Sequence, residues 1–325
     1  MPQFNKESTA EEVSEAFSSQ INGRTFLITG TSARGLGAKI ATTLAKHSPA
    51  RLILVSRNKA KVDPVVKEIK FINSQVDVKF VPCELSDQGS VRKAAGIILD
   101  DSSIKHIDVV INNAGVMAIT EYKVDNKGNE LQLSSNHIGH FLLSNLIMPK
   151  ILAAGPGARI VNHTSYGHHI GPFRFHDPNF SGGKEYDSWS AYGQSKTANI
   201  LFSVELSRRL KNRQIQAYAV HPGLIMSTGL GEHMDFMSEM PALLAATARN
   251  NPGVEWKMDE GVKTDSQGSA SALVAALDPG LADYSGSYID DCAVGKPMAY
   301  AVDPVNAERL WAYSEEIIGQ KFDLE

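Results

Sequence analysis

From residue 25 onward, short β-branched runs alternate with amphipathic stretches of helical length, and this alternation constrains the fold more than any other feature. TFLIT (25–29), RLILV (51–55), VKFV (78–81), IDVVIN (107–112), ARIVNH (158–163) and IQAYAV (215–220) read as buried strands. Between them, residues 36–47, 62–73, 91–99, 131–152 and 191–211 carry helical periodicity. Such alternation implies right-handed crossovers and a sheet covered on both faces. The expected fold is therefore α/β, a single doubly wound parallel sheet. A late strand GSYID (286–290) and a final helix over 304–318 complete one domain spanning 1–325, with no internal repeat or low-complexity linker to divide it. Upstream, residues 1–21 form a helical extension. There Thr9 is the N-cap, Glu12 completes a capping box, and Val13, Ala16 and Phe17 share one face.

The first strand runs directly into TGTSARGLG and then into the helical stretch AKIATTLA. Glycines at 30, 35 and 37 let the backbone turn tightly and approach a pyrophosphate, whose charge the following helix N-terminus stabilises. Glycine-rich turns also merely join strands to helices, but the place after the first strand of a βαβ unit points to a Rossmann-type dinucleotide site. The second strand ends in LILVSRN, where an acidic residue would accept hydrogen bonds from an adenosine ribose. Ser56 and Arg57 stand there instead, and Arg34 adds a cation on the same side. Solvated arginines are common on any surface. Placed together here, with donor forks suited to phosphate, they favour NADP(H) over NAD(H).

Tyr192 and Lys196 in YGQSK fall one turn apart on one helix face. A free phenol ionises near pH 10, too high for ready proton exchange at neutral pH, and a nearby ammonium together with the positive nicotinamide ring of oxidised cofactor lowers that value. So tuned, the phenol protonates a carbonyl oxygen or deprotonates an alcohol. YxxxK also arises by chance in many helices, so its surroundings carry the reading. Ser165 follows the strand ARIVNH, where an open parallel sheet delivers functional side chains, and its hydroxyl suits an oxyanion-type role. INNAG (111–115) ends the preceding strand with small residues that let a flat ring lie close. Asn136 is a poor helix former in an apolar stretch; it is either a satisfied core amide or a water-holding group beside the lysine.

TG…RGLG, NNAG, Asn136, Ser165, YGQSK and HPG (221–223) together resemble the short-chain dehydrogenase/reductase family, in order and spacing, over residues 22–315. NHIGHFLLSNLIMP, RIVNHTS, AYGQSKTANILFSVELSRRL and LWAYSEEIIG are most similar to its retinol-dehydrogenase and WW-domain-oxidoreductase branch, as a fungal-type member. The resemblance implies Tyr192 as proton donor, Lys196 as the group that lowers its pKa and binds ribose, Ser165 as carbonyl orienter and Asn136 as water relay. Hydride transfer from nicotinamide C4 is implied as well. So are cofactor contacts from Thr31, Leu36, Leu85, Asn113, Ala114 and Gly115, and from Pro222, Gly223 and Ile225 around the carboxamide. Three departures stand out. Four residues separate Gly30 from Gly35 where the family has three, so one residue within 31–34 bulges. Glu84 replaces an aspartate that contacts adenine, and Ser227, beside Thr228, occupies a usual threonine position.

Residues 228–265 break the rhythm with four methionines, a phenylalanine and a tryptophan. They form either an ordinary helical insertion or a lid over an apolar substrate. The loop between Ser165 and Tyr192 is a further candidate for substrate contact. A net charge of −4 supplies no basic field for nucleic acid. No apolar run is long enough for a signal peptide or membrane span, and Cys83 and Cys292 lie in no spaced motif, so a cytoplasmic setting is expected. His163, His168, His169 and His176 match no metal-ligand spacing. The expected activity is NADP(H)-dependent reduction of a small lipophilic ketone or aldehyde, or its reverse, by a monomer or homodimer. Reduction of an activated C=C or C=N bond is the rival within enzymes, and an NADP-sensing binding protein the rival outside them.

Overall fold

A computed structural model describes residues 4–257 and 261–324. Eight strands form one sheet among them: β1 (Thr25–Thr29), β2 (Arg51–Ser56), β3 (Asp77–Pro82), β4 (Val109–Asn112), β5 (Arg159–His163), β6 (Gln216–Val220), β7 (Tyr288–Asp290) and β8 (Ala293–Val294). Their order is β3-β2-β1-β4-β5-β6-β7-β8, parallel except for the antiparallel β7–β8 edge. β1, β4, β5 and β6 are buried along their whole length, as β-branched runs covered on both faces must be. The chain leaves β1 toward one edge and returns at β4 toward the other. That reversal opens a crevice beyond the carboxyl ends of these two strands.

The helices are α1 (Ala10–Ala16), α2 (Leu36–Ala45), α3 (Lys59–Ile72), α4 (Gln88–Asp100), α5 (Leu131–Leu133), α6 (Gly139–Leu146), α7 (Met148–Leu152), α8 (Ser188–Leu210), α9 (Phe236–Asn250), α10 (Asp265–Leu277) and α11 (Pro304–Ile318). One face of the sheet is packed by α4, α6, α8 and α11 around Phe141, Phe202 and Trp311. The other is packed by α1, α2, α3 and α10 around Phe26, Ile28, Ile40 and Leu44. The Thr9–Glu12 capping box starts α1. Ala10, Val13, Ser14 and Phe17 are buried while Ala16 is exposed, so Val13 and Phe17 of the expected face hold and Ala16 does not.

The largest departure from the sequence reading lies in 131–152, which is not one helix. A five-residue π turn occupies Ser134–Ile138, and the chain breaks again at Ile147. The second break follows from Pro149, which has no N–H to return to the preceding turn. The first lies where Gly139 presses on the backbone of Leu85; a Cβ on Gly139 would sit 2.2 Å from the Leu85 oxygen. Helix α10 was not foreseen, because residues 268–277 are buried all round and carry no amphipathic stripe. Of the expected lid, 258–260 lie outside the described residues, as do 1–3 of the N-terminal extension.

Candidate active site

Gly30, at the end of β1, has φ +73, and a Cβ there would lie 2.7 Å from the Ala114 Cα. Gly37, in the first turn of α2, is as tightly placed: its Cβ would lie 2.6 Å from the Gly30 oxygen and 2.7 Å from Asn113 Nδ2. The two strand ends thus touch through glycine, with Asn113 Nδ2 donating to the backbone oxygens of Thr29 (2.9 Å) and Gly30 (3.2 Å). The bulge forced by the longer loop falls on Arg34, which is left-handed at φ +67. Gly35 is then the N-cap of α2 and supplies no side-chain cap, so the first-turn amides face the crevice without one. Thr31 is fully buried, and its hydroxyl has no hydrogen-bond partner among the described residues. A glycine cradle, an uncapped helix N-terminus and an unpaired buried hydroxyl fit a dinucleotide pyrophosphate.

The two arginines of the sequence reading both meet carboxylates of their own chain. Arg57 pairs with Glu84 at 3.2 Å, and Arg34 reaches across to Glu232 of the lid segment at 2.8 Å. All four side chains are solvent-exposed. Leu85 is buried behind Glu84 against α6. On the opposite side, Gly223 (φ +85) follows Pro222 with the Lys263 chain laid across it, while Ile225 packs on Gly268. The Ser227 hydroxyl bonds the Asp265 carboxylate at the start of α10.

Tyr192 and Lys196 lie in the first half of α8, whose N-cap Asp187 accepts from the Ser190 N–H at 2.6 Å. Both are almost completely buried. The phenol shares a hydrogen bond with Ser165, whose Oγ also accepts from Gly167 N–H at 3.0 Å. Gly167 is required beside the ring: a Cβ would lie 2.7 Å from Tyr192 Cε1. Lys196 Nζ lies 5.5 Å from the Tyr192 ring centroid and donates to the His163 oxygen at 3.3 Å. Burial pushes the Tyr192 pKa up to about 12, which the Ser165 bond opposes, and pushes Lys196 down to about 8. In the protein alone burial thus dominates; the expected lowering belongs to lysine and oxidised nicotinamide acting together. What the protein holds ready is a protonated phenol.

Asn136 meets the first of its two readings, a satisfied core amide. Its side-chain donors are both spent, on the Val116 oxygen and Ser195 Oγ, each at 2.9 Å, and its Oδ1 accepts from Val116 N–H at 2.8 Å. The amide clamps the chain just after Gly115. A Cβ on Gly115 would sit 3.2 Å from Asn136 Oδ1 and 3.5 Å from Lys196 Nζ, so that glycine keeps open the space beside both.

Over Tyr192 lies the segment suspected of being a lid. Leu243 and Ala246 of α9 pack with Ala118, Ile170, Trp189 and Tyr192, and Met117, Met234, Phe236 and Trp256 close around them. Trp189 Nε1 donates to Glu239 at 3.1 Å, and Asn250 Nδ2 to Ser190 Oγ at 2.7 Å, which ties α9 to α8. The loop before α8 behaves differently: Phe173 and Phe175 turn into the α8–α11 core against Tyr313. Among the described residues no cluster of metal-ligating side chains occurs, and no helix is long and apolar enough to cross a membrane.

The family model for short chain dehydrogenases matches residues 24–177. Human retinol dehydrogenase 11 is 37% identical over 305 residues, covering 94% of this chain and 88% of that protein. The chain belongs to the short-chain dehydrogenase/reductase family. Its place there is the retinol-dehydrogenase branch, an oxidoreductase group that uses a nicotinamide cofactor and small-molecule substrates. The oxidoreductase fscI of Fusarium equiseti is 33% identical over 245 residues, 68% of this chain and 94% of its own length. Among solved structures, an uncharacterised protein from Mycobacterium paratuberculosis superposes with a TM-score of 0.67 at 30% identity, covering 93% and 96% of the two chains. Motif reading brought Gly30, Gly37, Asn113, Ser165, Tyr192 and Lys196 to one crevice. It missed Glu232 and Lys263, which belong to no motif, and His140, which stands within NHIGHFLLSNLIMP but drew no role of its own; only its four-residue spacing from Asn136 hinted at a pair.

Proposed function

We propose that this chain reduces a lipophilic ketone or aldehyde to an alcohol, or runs the reverse, with NADP(H) as cofactor. The observation that carries the reading is the buried Tyr192 phenol, hydrogen-bonded to Ser165 beneath an apolar roof. Bound in the crevice, the nicotinamide supplies the hydride. Ser165 Oγ donates to the substrate oxygen and orients it, and Tyr192 delivers the proton from its hydroxyl as negative charge develops there. Lys196, held beside the phenol by the His163 oxygen, stabilises the phenolate left behind. Asn136 keeps the Gly115–Val116 backbone fixed next to that lysine. Arg34 and Arg57 favour a 2′-phosphorylated cofactor, which would recruit them from Glu232 and Glu84.

Met117, Met234, Phe236 and Trp256 favour an apolar substrate, because thioethers and rings offer it contact without hydrogen-bond demands. The test is NADPH oxidation across a panel of hydrophobic ketones and aldehydes. Wild-type protein should turn over at least one, Tyr192→Phe should lose on the order of 10²-fold or more in kcat, and Arg57→Asp should raise the KM for NADPH but not for NADH. Silence across the panel, or a Tyr192→Phe protein as active as wild type, refutes the reading.

A further inference from the structure

A buried imidazole, His140, bridges the two halves of the site. Its Nδ1 lies 2.9 Å from the backbone oxygen of Asn136, and its Nε2 lies 2.9 Å from Thr29 Oγ1 at the end of β1. Thr29 Oγ1 also accepts from the N–H groups of Asn113 and Ala114, each at 3.0 Å. Two amide donors occupy both lone pairs of that hydroxyl, so its own proton must go to Nε2. Nε2 is then an acceptor, and the single ring proton sits on Nδ1, donated to the Asn136 oxygen. Only this neutral tautomer satisfies every partner. Burial, with the field of Lys196, pushes the His140 pKa down to about 4. The neighbouring His137 and His163 are likewise held neutral by burial, both at about 3.

The groups that His140 joins are not scaffold in general. Asn113 and Ala114 form the floor of the dinucleotide cradle against Gly30 and Gly37. Asn136 stands in a π turn, the irregularity through which helices often serve functional sites, and its side chain flanks the same open space as Lys196 Nζ. We propose that His140 is a positioning residue that holds the floor of the cofactor cradle and the Asn136–Lys196 side of the acid–base centre in one fixed register. Imidazole suits the task because it presents a donor and an acceptor on opposite edges of a rigid ring without charge. The inference rests on the reading of Tyr192 and Lys196 as the acid–base pair.

Two substitutions separate the two contacts. His140→Asn keeps a donor near the Nδ1 position but is too short for Thr29; His140→Gln reaches Thr29 but leaves the Asn136 oxygen without its partner. For His140→Asn, NADPH dissociation measured by fluorescence titration should weaken about tenfold, the scale of one buried hydrogen bond, with the pH profile of kcat unchanged. His140→Gln should keep its NADPH affinity within about twofold, lose about tenfold in kcat, and shift the alkaline limb of that profile. Wild-type behaviour of both, or equal loss of both properties in both variants, overturns the proposal. Should either variant fail to fold, the wild-type protein with ¹⁵N-labelled histidine gives an independent answer. An Nδ1–H tautomer for His140 that does not titrate between about pH 5 and pH 9 supports the bridge; an Nε2–H tautomer, or a midpoint in that range, overturns it. Affinity and tautomer are read without turnover, so an active Tyr192→Phe protein would sink the acid–base reading while leaving these measurements to judge His140 alone.

Discussion

Lys196 is the residue whose replacement should make the protein more stable and inactive. Its ammonium is buried, and burial lowers its pKa from the ordinary 10.5 to about 8. That lowering corresponds to about 3 kcal/mol of unfavourable free energy in the folded state whenever the group is charged. In Lys196→Met a side chain of similar length fills the space without charge. The His163 oxygen that Lys196 serves still accepts from Asn199 Nδ2 at 2.9 Å, so no buried carbonyl is orphaned. The gain should be fully present below pH 8, where wild-type lysine is protonated in both states. Between about pH 8 and pH 10.5 the folded lysine loses its proton while the unfolded one keeps it, so wild-type stability rises and the advantage of methionine fades. Urea unfolding of the two proteins at several pH values measures this. A gain of about 1–3 kcal/mol at pH 7, shrinking toward pH 10, is expected together with loss of turnover, a stability–activity trade-off. A methionine variant less stable than wild type at pH 7, or a difference that does not shrink with pH, refutes the account of Lys196 as a buried, strained cation.

Gly37→Ala should drive a methyl into the Gly30 oxygen and Asn113 Nδ2, opening the junction of α2 with the strand ends. A loss of roughly 1–3 kcal/mol by urea unfolding is expected, with weaker NADPH binding; unchanged affinity would show that the glycine cradle is not the phosphate site. Glu232→Gln should free Arg34 from its lid partner and tighten NADPH binding about two- to fivefold at low salt, the small scale of an exposed ion pair. An equal effect on NADH would remove Arg34 from the 2′-phosphate reading.

Sheet, glycine cradle and the Ser165–Tyr192–Lys196 cluster were legible in the sequence because each rests on a local rule. Continuous β-branched runs mark strands covered on both faces, glycine marks close backbone approach, and Tyr192 with Lys196 share a face at four-residue spacing. What escaped depends on tertiary partners. The π turn at Ser134–Ile138 has no composition signal, and without it the partners of the Asn136 amide could not be named. The carboxylate partners of Arg34 and Arg57 come from a distant segment and a neighbouring strand end, so charge reading saw two free cations where the fold makes two pairs. Helix α10 hid for the opposite reason: buried on all sides by α1, α2 and the sheet, it needs no polar face to announce itself.

Proton delivery from Tyr192 to a carbonyl is tested most directly by tracing the hydride. With NADPH deuterated at nicotinamide C4 and a hydrophobic ketone that the protein accepts, the account predicts deuterium on the carbinol carbon of the product, with transfer slowed on the order of 10²-fold or more in Tyr192→Phe. Deuterium on a carbon beside an intact carbonyl, or label transfer by Tyr192→Phe at the wild-type rate, would contradict it.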